Sequence, residues 1–150
     1  MMQLLAQDEL PLNLDNWDRY SACRDRVFRS LEKYAKNPIV LSGDSHNAWA
    51  FNLKNNMGEP VGIEIGAPGI TSPGLEKVLP VEPPIMAQSM RDSSPEVFDL
   101  DTFRRGWSEL VLTPATAINQ WHFVDTVLSK DFRVVAGKKQ VCQSGQKKFS

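Results

Sequence analysis

The chain has 150 residues, enough for one globular core and short for two. Its 17 basic and 18 acidic residues nearly cancel, so no global field points to nucleic acid or to an anionic membrane surface. The apolar runs are a few residues long, far below the roughly 20 needed to span a bilayer, and no basic-then-apolar leader opens the sequence. A soluble chain with no export signal of its own is therefore expected. Cys23 and Cys142 match neither a zinc knuckle nor a redox pair by spacing. Two separate thiols, packed as small hydrophobes, are the expectation.

In chain order, residues 1–14 mix apolar and polar side chains without a period and read as an irregular start. Over 15–36 the pattern is helical, with Trp17, Tyr20, Val27, Leu31 and Tyr34 on one stripe. Asp15 or Asn16 would cap that helix, and Asn37-Pro38 would end it, because proline disfavours helix at the residue before it. Residues 38–43 then read as a short buried strand, apolar on both faces. At its carboxyl end stands Gly43-Asp44-Ser45-His46-Asn47, in the place where open sheets covered by helices build their sites.

The stretch NLKNNMGEP is rich in turn residues, and 61–65 looks like the next strand, making a hairpin. Glycine and proline then crowd 66–90, which reads as loop with at most one helical turn. Three runs rich in β-branched and aromatic residues follow, GWSELVLTP, AINQWHFVDTVL and FRVVAGKKQVCQ, and predict an antiparallel meander. The basic tail, 138–150, is polar enough to fray. The fold class is α+β: a long helix, short buried strands and a closing meander.

The loop 43–47 carries the chain's densest chemistry. Glycine permits a tight turn off the strand, and a carboxylate and an imidazole two residues apart can converge there, with the Asn47 amide beside them. Those side chains suit a divalent or trivalent ion, although such a site normally needs more donors than one loop supplies. The same residues also suit an ordinary turn, with Asp44 making an Asx-turn and His46 bonding a loop carbonyl. An Asp-x-His pair by itself favours the turn.

Around that loop the sequence resembles a known family. VLSGDSHNAWA, preceded by NLDNWDRYSACRDRVFRSL and followed by GIEIGAPGITSPG, is similar to the C-terminal part of the PhoD-like alkaline phosphatase and phosphodiesterase family, a branch of the calcineurin-like metallophosphoesterases. VFDLDTFRRGWSELVLTP and WHFVDTV look like that family's closing strands, so the resemblance runs in order from about Asn13 to Val127. It implies a sandwich of two β-sheets flanked by helices, with a multinuclear metal centre at the sheet ends that hydrolyses phosphate esters. The ions implied are calcium, iron, manganese or zinc. On this resemblance His46 is a metal ligand, Asp44 a second metal candidate, and Asn47 a candidate contact to phosphate.

The family's upstream metal motifs do not precede Gly43. The chain is therefore expected to be the C-terminal portion of a metallophosphatase domain, holding part of the metal site and inactive alone. Its expected partners are the missing N-terminal part of the domain and, over exposed edges, a second copy in a homo-oligomer. Relatives are commonly exported, which suggests a periplasmic or extracellular place. The rival reading is a non-enzymatic α+β module that binds itself or a partner, with 43–47 an ordinary turn.

Other residues read as structural. His122 lies between aromatics and is expected to pack or to hold a hydrogen bond. Glu64, in an apolar strand, should face solvent or pair. Thr71 and Ser72 could line the site mouth. Arg104 and Arg105 suit surface ion pairs with Asp99 and Asp101 better than a phosphate clamp. Trp17, Trp49, Trp107 and Trp121 are expected as core anchors, with Trp49 doubling as a wall beside His46.

Overall fold

The computed structural model describes residues 20–77 and 81–150, together with Ala6, Gln7, Leu10, Pro11 and Trp17. A short antiparallel pair, β1 (Ala6–Gln7) and β2 (Leu10–Pro11), comes first. Then follow α1 (Ser21–Tyr34), β3 (Ile39–Ser42), β4 (Ala48–Lys54), β5 (Pro60–Gly66), a 3₁₀ turn (Leu75–Lys77), α2 (Pro83–Ser93), β6 (Val97–Asp101), β7 (Arg105–Leu112), β8 (Thr116–Val124) and β9 (Val134–Gln143).

Helix α1 places Phe28 and Leu31 on one face, against the core, and closes with the Ala35 N–H on the Leu31 carbonyl ahead of Pro38. It starts later than periodicity suggests. The proposed caps, Asp15 and Asn16, lie outside the described residues.

Strands pair in the order β3-β5-β4-β6, with β3 parallel to β5 and the other neighbours antiparallel. Alternation along β4 sends Trp49, Phe51 and Leu53 to one face and Ala48 and Ala50 to the other. The first face packs under α1 and α2 through Phe28, Met86 and Met90. The second face meets the meander β7-β8-β9, whose β8 turns Ala117, Trp121 and Phe123 inward. Three layers result, helices on a sheet on a sheet, which is the α+β sandwich the resemblance implies. A bulge opposite Leu53 and Lys54 lets Val61 join the helix side while Ile63 and Ile65 face the meander.

Several expectations are corrected. The glycine- and proline-rich stretch contains an 11-residue helix, α2, not a single turn. Pro83 and Pro84 sit at its first positions, where a missing N–H costs nothing. Strand β3 is a half-buried edge strand, with Leu41 66% exposed, rather than buried on both faces. The tail does not fray over 138–150: β9 runs to Gln143, and Phe149 is buried, donating its N–H to Asn52 Oδ1 and stacking on Phe98. Trp49 and Trp121 anchor the core, but Trp107 lies on the meander's outer face and stacks on His122. As expected, His122 is held structurally, by Glu109 at 2.8 Å, and both cysteines are free, Cys23 exposed and Cys142 buried.

Candidate functional site

Strand polarity assembles the site. Strands β3, β5 and β6 end, and β4 begins, on one rim of the four-stranded sheet, because β3 is parallel to β5 while β4 opposes both β5 and β6. Three loops therefore meet there: 43–47, 67–74 and 102–104. Backbone bonds knit them together. Ala67 N–H reaches Ser42 O, Gly69 N–H reaches His46 O, and Gly106 N–H reaches Gly69 O at 3.0 Å.

The first loop folds back on itself. Asp44 and His46 both hold positive φ, 69° and 59°, a conformation that Asp, Asn and His tolerate better than most residues. Ser45 N–H closes onto Gly43 O at 2.8 Å, and Ser45 Oγ accepts from Trp49 Nε1 at 2.9 Å. Trp49 thus braces the loop from inside the core.

His46 is half-buried, and its Nδ1 lies 2.8 Å from the Pro73 carbonyl. A carbonyl can only accept, so Nδ1 carries the proton and the neutral ring keeps its lone pair on Nε2. That is the tautomer of a histidine that binds a metal through Nε2, with its other nitrogen oriented by a backbone carbonyl. The loop-carbonyl bond expected of a plain turn is present, and it is compatible with a ligand role. Asp44, two residues earlier, is exposed.

Asn47 is placed differently from a phosphate contact. It is fully buried, its Nδ2 donates to Ser45 O at 2.6 Å, and its Oδ1 accepts from Leu75 N–H at 3.3 Å. Its amide ties the first loop to the 3₁₀ turn. Gly74 is required beside it, since a Cβ there would collide with Asn47 Oδ1 and the Arg105 guanidinium. Thr71 and Ser72 are exposed in the second loop. Glu64 is fully buried, not solvent-facing, and accepts from Ser42 Oγ at 2.6 Å.

The arginine pair divides. Arg104 Nε bonds Asp101 at 2.7 Å, as expected, whereas Asp99 pairs with Arg91 and Lys138. Arg105 is buried. Its Nη1 donates to the carbonyls of His46 at 3.0 Å and Arg104 at 2.8 Å, and its Nη2 forms a close ion pair with Glu76 at 2.5 Å. Glu76 also accepts from Gly74 N–H. Burial would raise the Glu76 pKa, but the Arg105 contact and the backbone N–H groups of Gly74 and Glu76 outweigh it and hold the carboxyl below its usual range. No local motif marks Pro73 or Glu76, and Arg105, expected in a surface ion pair with Asp99 or Asp101, is instead buried between Glu76 and the His46 carbonyl, a placement that spacing does not signal.

As a metal site the rim is partial. His46 Nε2 and the Asp44 carboxylate are suitable donors, and among the described residues no three His, Cys, Asp or Glu side chains gather into a ligand cluster. A tightly held ion needs donors besides these two.

Comparison with known proteins gives one consistent answer. A family model described as PhoD-like phosphatase matches residues 1–121. The chain is similar to alkaline phosphatase D of Bacillus subtilis (strain 168), with 37% identity over 67 residues that cover 41% of this chain and 12% of that protein. A solved structure described as "Structure of PhoD" superposes with a TM-score of 0.71 at 20% identity, over 92% of this chain and 26% of that one. At that identity the likeness is one of fold. The chain thus spans about an eighth and a quarter of the lengths of these two relatives.

Proposed function

The chain belongs to the PhoD-like phosphatase family, and from that premise we propose that it is the C-terminal portion of a metal-dependent phosphatase or phosphodiesterase domain, contributing His46 and Asp44 to the metal centre. The observation that carries the proposal is the 2.8 Å contact of His46 Nδ1 with Pro73 O, which favours the proton on Nδ1 and Nε2 as the nitrogen that ligates. When bound, calcium, iron, manganese or zinc would polarise a phosphoryl oxygen and supply a nucleophile at modest pH.

This chain's residues have distinct tasks on that reading. His46 offers a neutral nitrogen donor on the rim. Asp44 offers an exposed carboxylate beside it, and Asn47 holds the loop that presents both. Phosphate esters are the substrate class. The remaining ligands come from the rest of the domain, so the 150 residues alone give no metal-dependent hydrolysis. Among the described residues the outer edge of β3 pairs with no strand and Leu41 on it is exposed, which suits either that missing part or a second copy in a homo-oligomer. A periplasmic or extracellular place belongs to the same proposal and is checked by fractionating the source cells. Among the described residues no helix is long and apolar enough to cross a membrane.

The test uses the protein extended upstream, supplied with divalent cations and an artificial phosphodiester. Hydrolysis should require the metal and fall at least about 100-fold in His46→Ala, the upper range for disturbing a metal site. An extended protein inert with every ion tried, or a His46→Ala rate equal to wild type, overturns the proposal.

A further inference from the structure

His46 is gripped at both ends by one closed ring of contacts. Its carbonyl accepts from Arg105 Nη1 at 3.0 Å and from Gly69 N–H at 3.1 Å. The other arm of the same guanidinium meets Glu76 at 2.5 Å. Glu76 accepts from Gly74 N–H at 3.1 and 3.2 Å, and the adjoining Pro73 carbonyl returns to His46 Nδ1 at 2.8 Å. Backbone and ring of one residue are therefore tied through two side chains from separate elements, the 3₁₀ turn and the start of β7.

We infer that Arg105 and Glu76 are a positioning pair that selects the tautomer and orientation of His46. Neither need touch substrate or metal: Arg105 is buried, with 6% of its side chain exposed, and Glu76 shows 21%. Their geometry explains why both residues have the types they have. Only a fork with donors on two arms reaches a carbonyl and a carboxylate together, and lysine, with one compact charge, cannot span them. On the other side Glu76 Oε1 meets Arg105 while both carboxylate oxygens accept from Gly74 N–H, so a full negative charge faces the guanidinium, which a neutral amide would not supply. Loosen either, and the Pro73 carbonyl is free to move off the ring. The imidazole then drifts toward the Nε2–H form that the side chain prefers in water, which blocks the lone pair a metal would take. The inference rests on His46 being the ligand, yet the tautomer can be read with no metal present.

The experiment is two-bond proton–nitrogen correlation spectroscopy on the ¹⁵N-labelled chain, at a pH where the ring is neutral, for wild type, Arg105→Lys, Glu76→Gln and the double variant. Wild type should show His46 as Nδ1–H. Each single variant should move the tautomer ratio several-fold toward Nε2–H, and the double variant no further, because the pair acts as a unit. Arg104→Gln, whose partner is Asp101, should leave the ratio unchanged. Manganese ion alone, titrated against broadening of the His46 ring signals, should need about 10-fold more metal in the single variants. If Arg105→Lys fails to fold, Glu76→Gln carries the test, since its amide oxygen still accepts from Gly74. A wild-type Nε2–H form, or variants that keep the wild-type ratio, overturns the inference. If the tautomer shifts as expected while manganese leaves the wild-type ring unbroadened, the positioning pair stands and the metal-ligand reading falls.

Discussion

Asn47→Ala should destabilise the chain markedly, although its neighbours in the loop are half-exposed or exposed. The Asn47 side chain is fully buried and satisfies two backbone groups, Ser45 O and Leu75 N–H. Losing two such bonds costs about 1–3 kcal/mol, more where the stranded groups stay dry. The void left by the amide, of order 40 Å³, adds about 1 kcal/mol at ~24 cal/mol per Å³. The expected loss is about 2–4 kcal/mol. Urea unfolding followed by tryptophan fluorescence would read it as a midpoint lowered by about 1–2 M, taking a slope of about 2 kcal/mol/M. Asp44→Asn is the matched comparison, because Asp44 is exposed and asparagine tolerates its positive φ. It should fall within about 0.5 kcal/mol of wild type. If Asn47→Ala also unfolds within 0.5 kcal/mol of wild type, the amide is not what ties the loops, and the reading of the rim as a braced scaffold is wrong.

Glu76 ties stability to acid. Its folded pKa is depressed, so its contribution is present above the unfolded carboxyl pKa of about 4.3 and is lost as pH falls through the folded value. Wild type should therefore exceed Glu76→Gln in thermal midpoint at pH 7, with the gap closing only on the acid side of that range; a constant gap from pH 7 to pH 3 contradicts it. The two thiols should separate by reactivity. Burial pushes the Cys142 thiol up, while Cys23 is exposed, so an alkylating reagent at pH 8 should modify Cys23 first and Cys142 only on unfolding. Peptide mass mapping against time decides it, and equal rates would refute the buried placement.

Much of the architecture was legible because periodicity and layer are linked. Strand β8 alternates strictly, and its buried set, Ala117, Asn119, Trp121 and Phe123, is the set a two-residue period selects. Helix α2 was hidden because Pro83-Pro84 closes a run of loop residues, and proline signals a break as readily as a helix start. The docked tail was hidden because its composition is polar; one side chain, Phe149, decides the matter by entering the inter-sheet core. Trp107 was misplaced because aromatic character does not say which face of a sheet it takes.

The site divides along the same line. His46 announces itself locally, as a histidine in a turn at a strand's end. What makes it a candidate ligand is long-range: a carbonyl 27 residues onward and a guanidinium 59 residues onward, brought together by strand polarity. Spacing carries no trace of either. Family membership favours the phosphatase-type reading over a plain binding module, and the geometry says how this part of the domain could serve it.

The most direct test is crystallographic: grow crystals of the protein extended upstream, with zinc, and collect anomalous data at the zinc edge. A peak should lie about 2.0–2.1 Å from His46 Nε2, with Nδ1 still on the Pro73 carbonyl. Zinc bound only elsewhere, or bound through Nδ1 on a flipped ring, would contradict the metal-ligand reading.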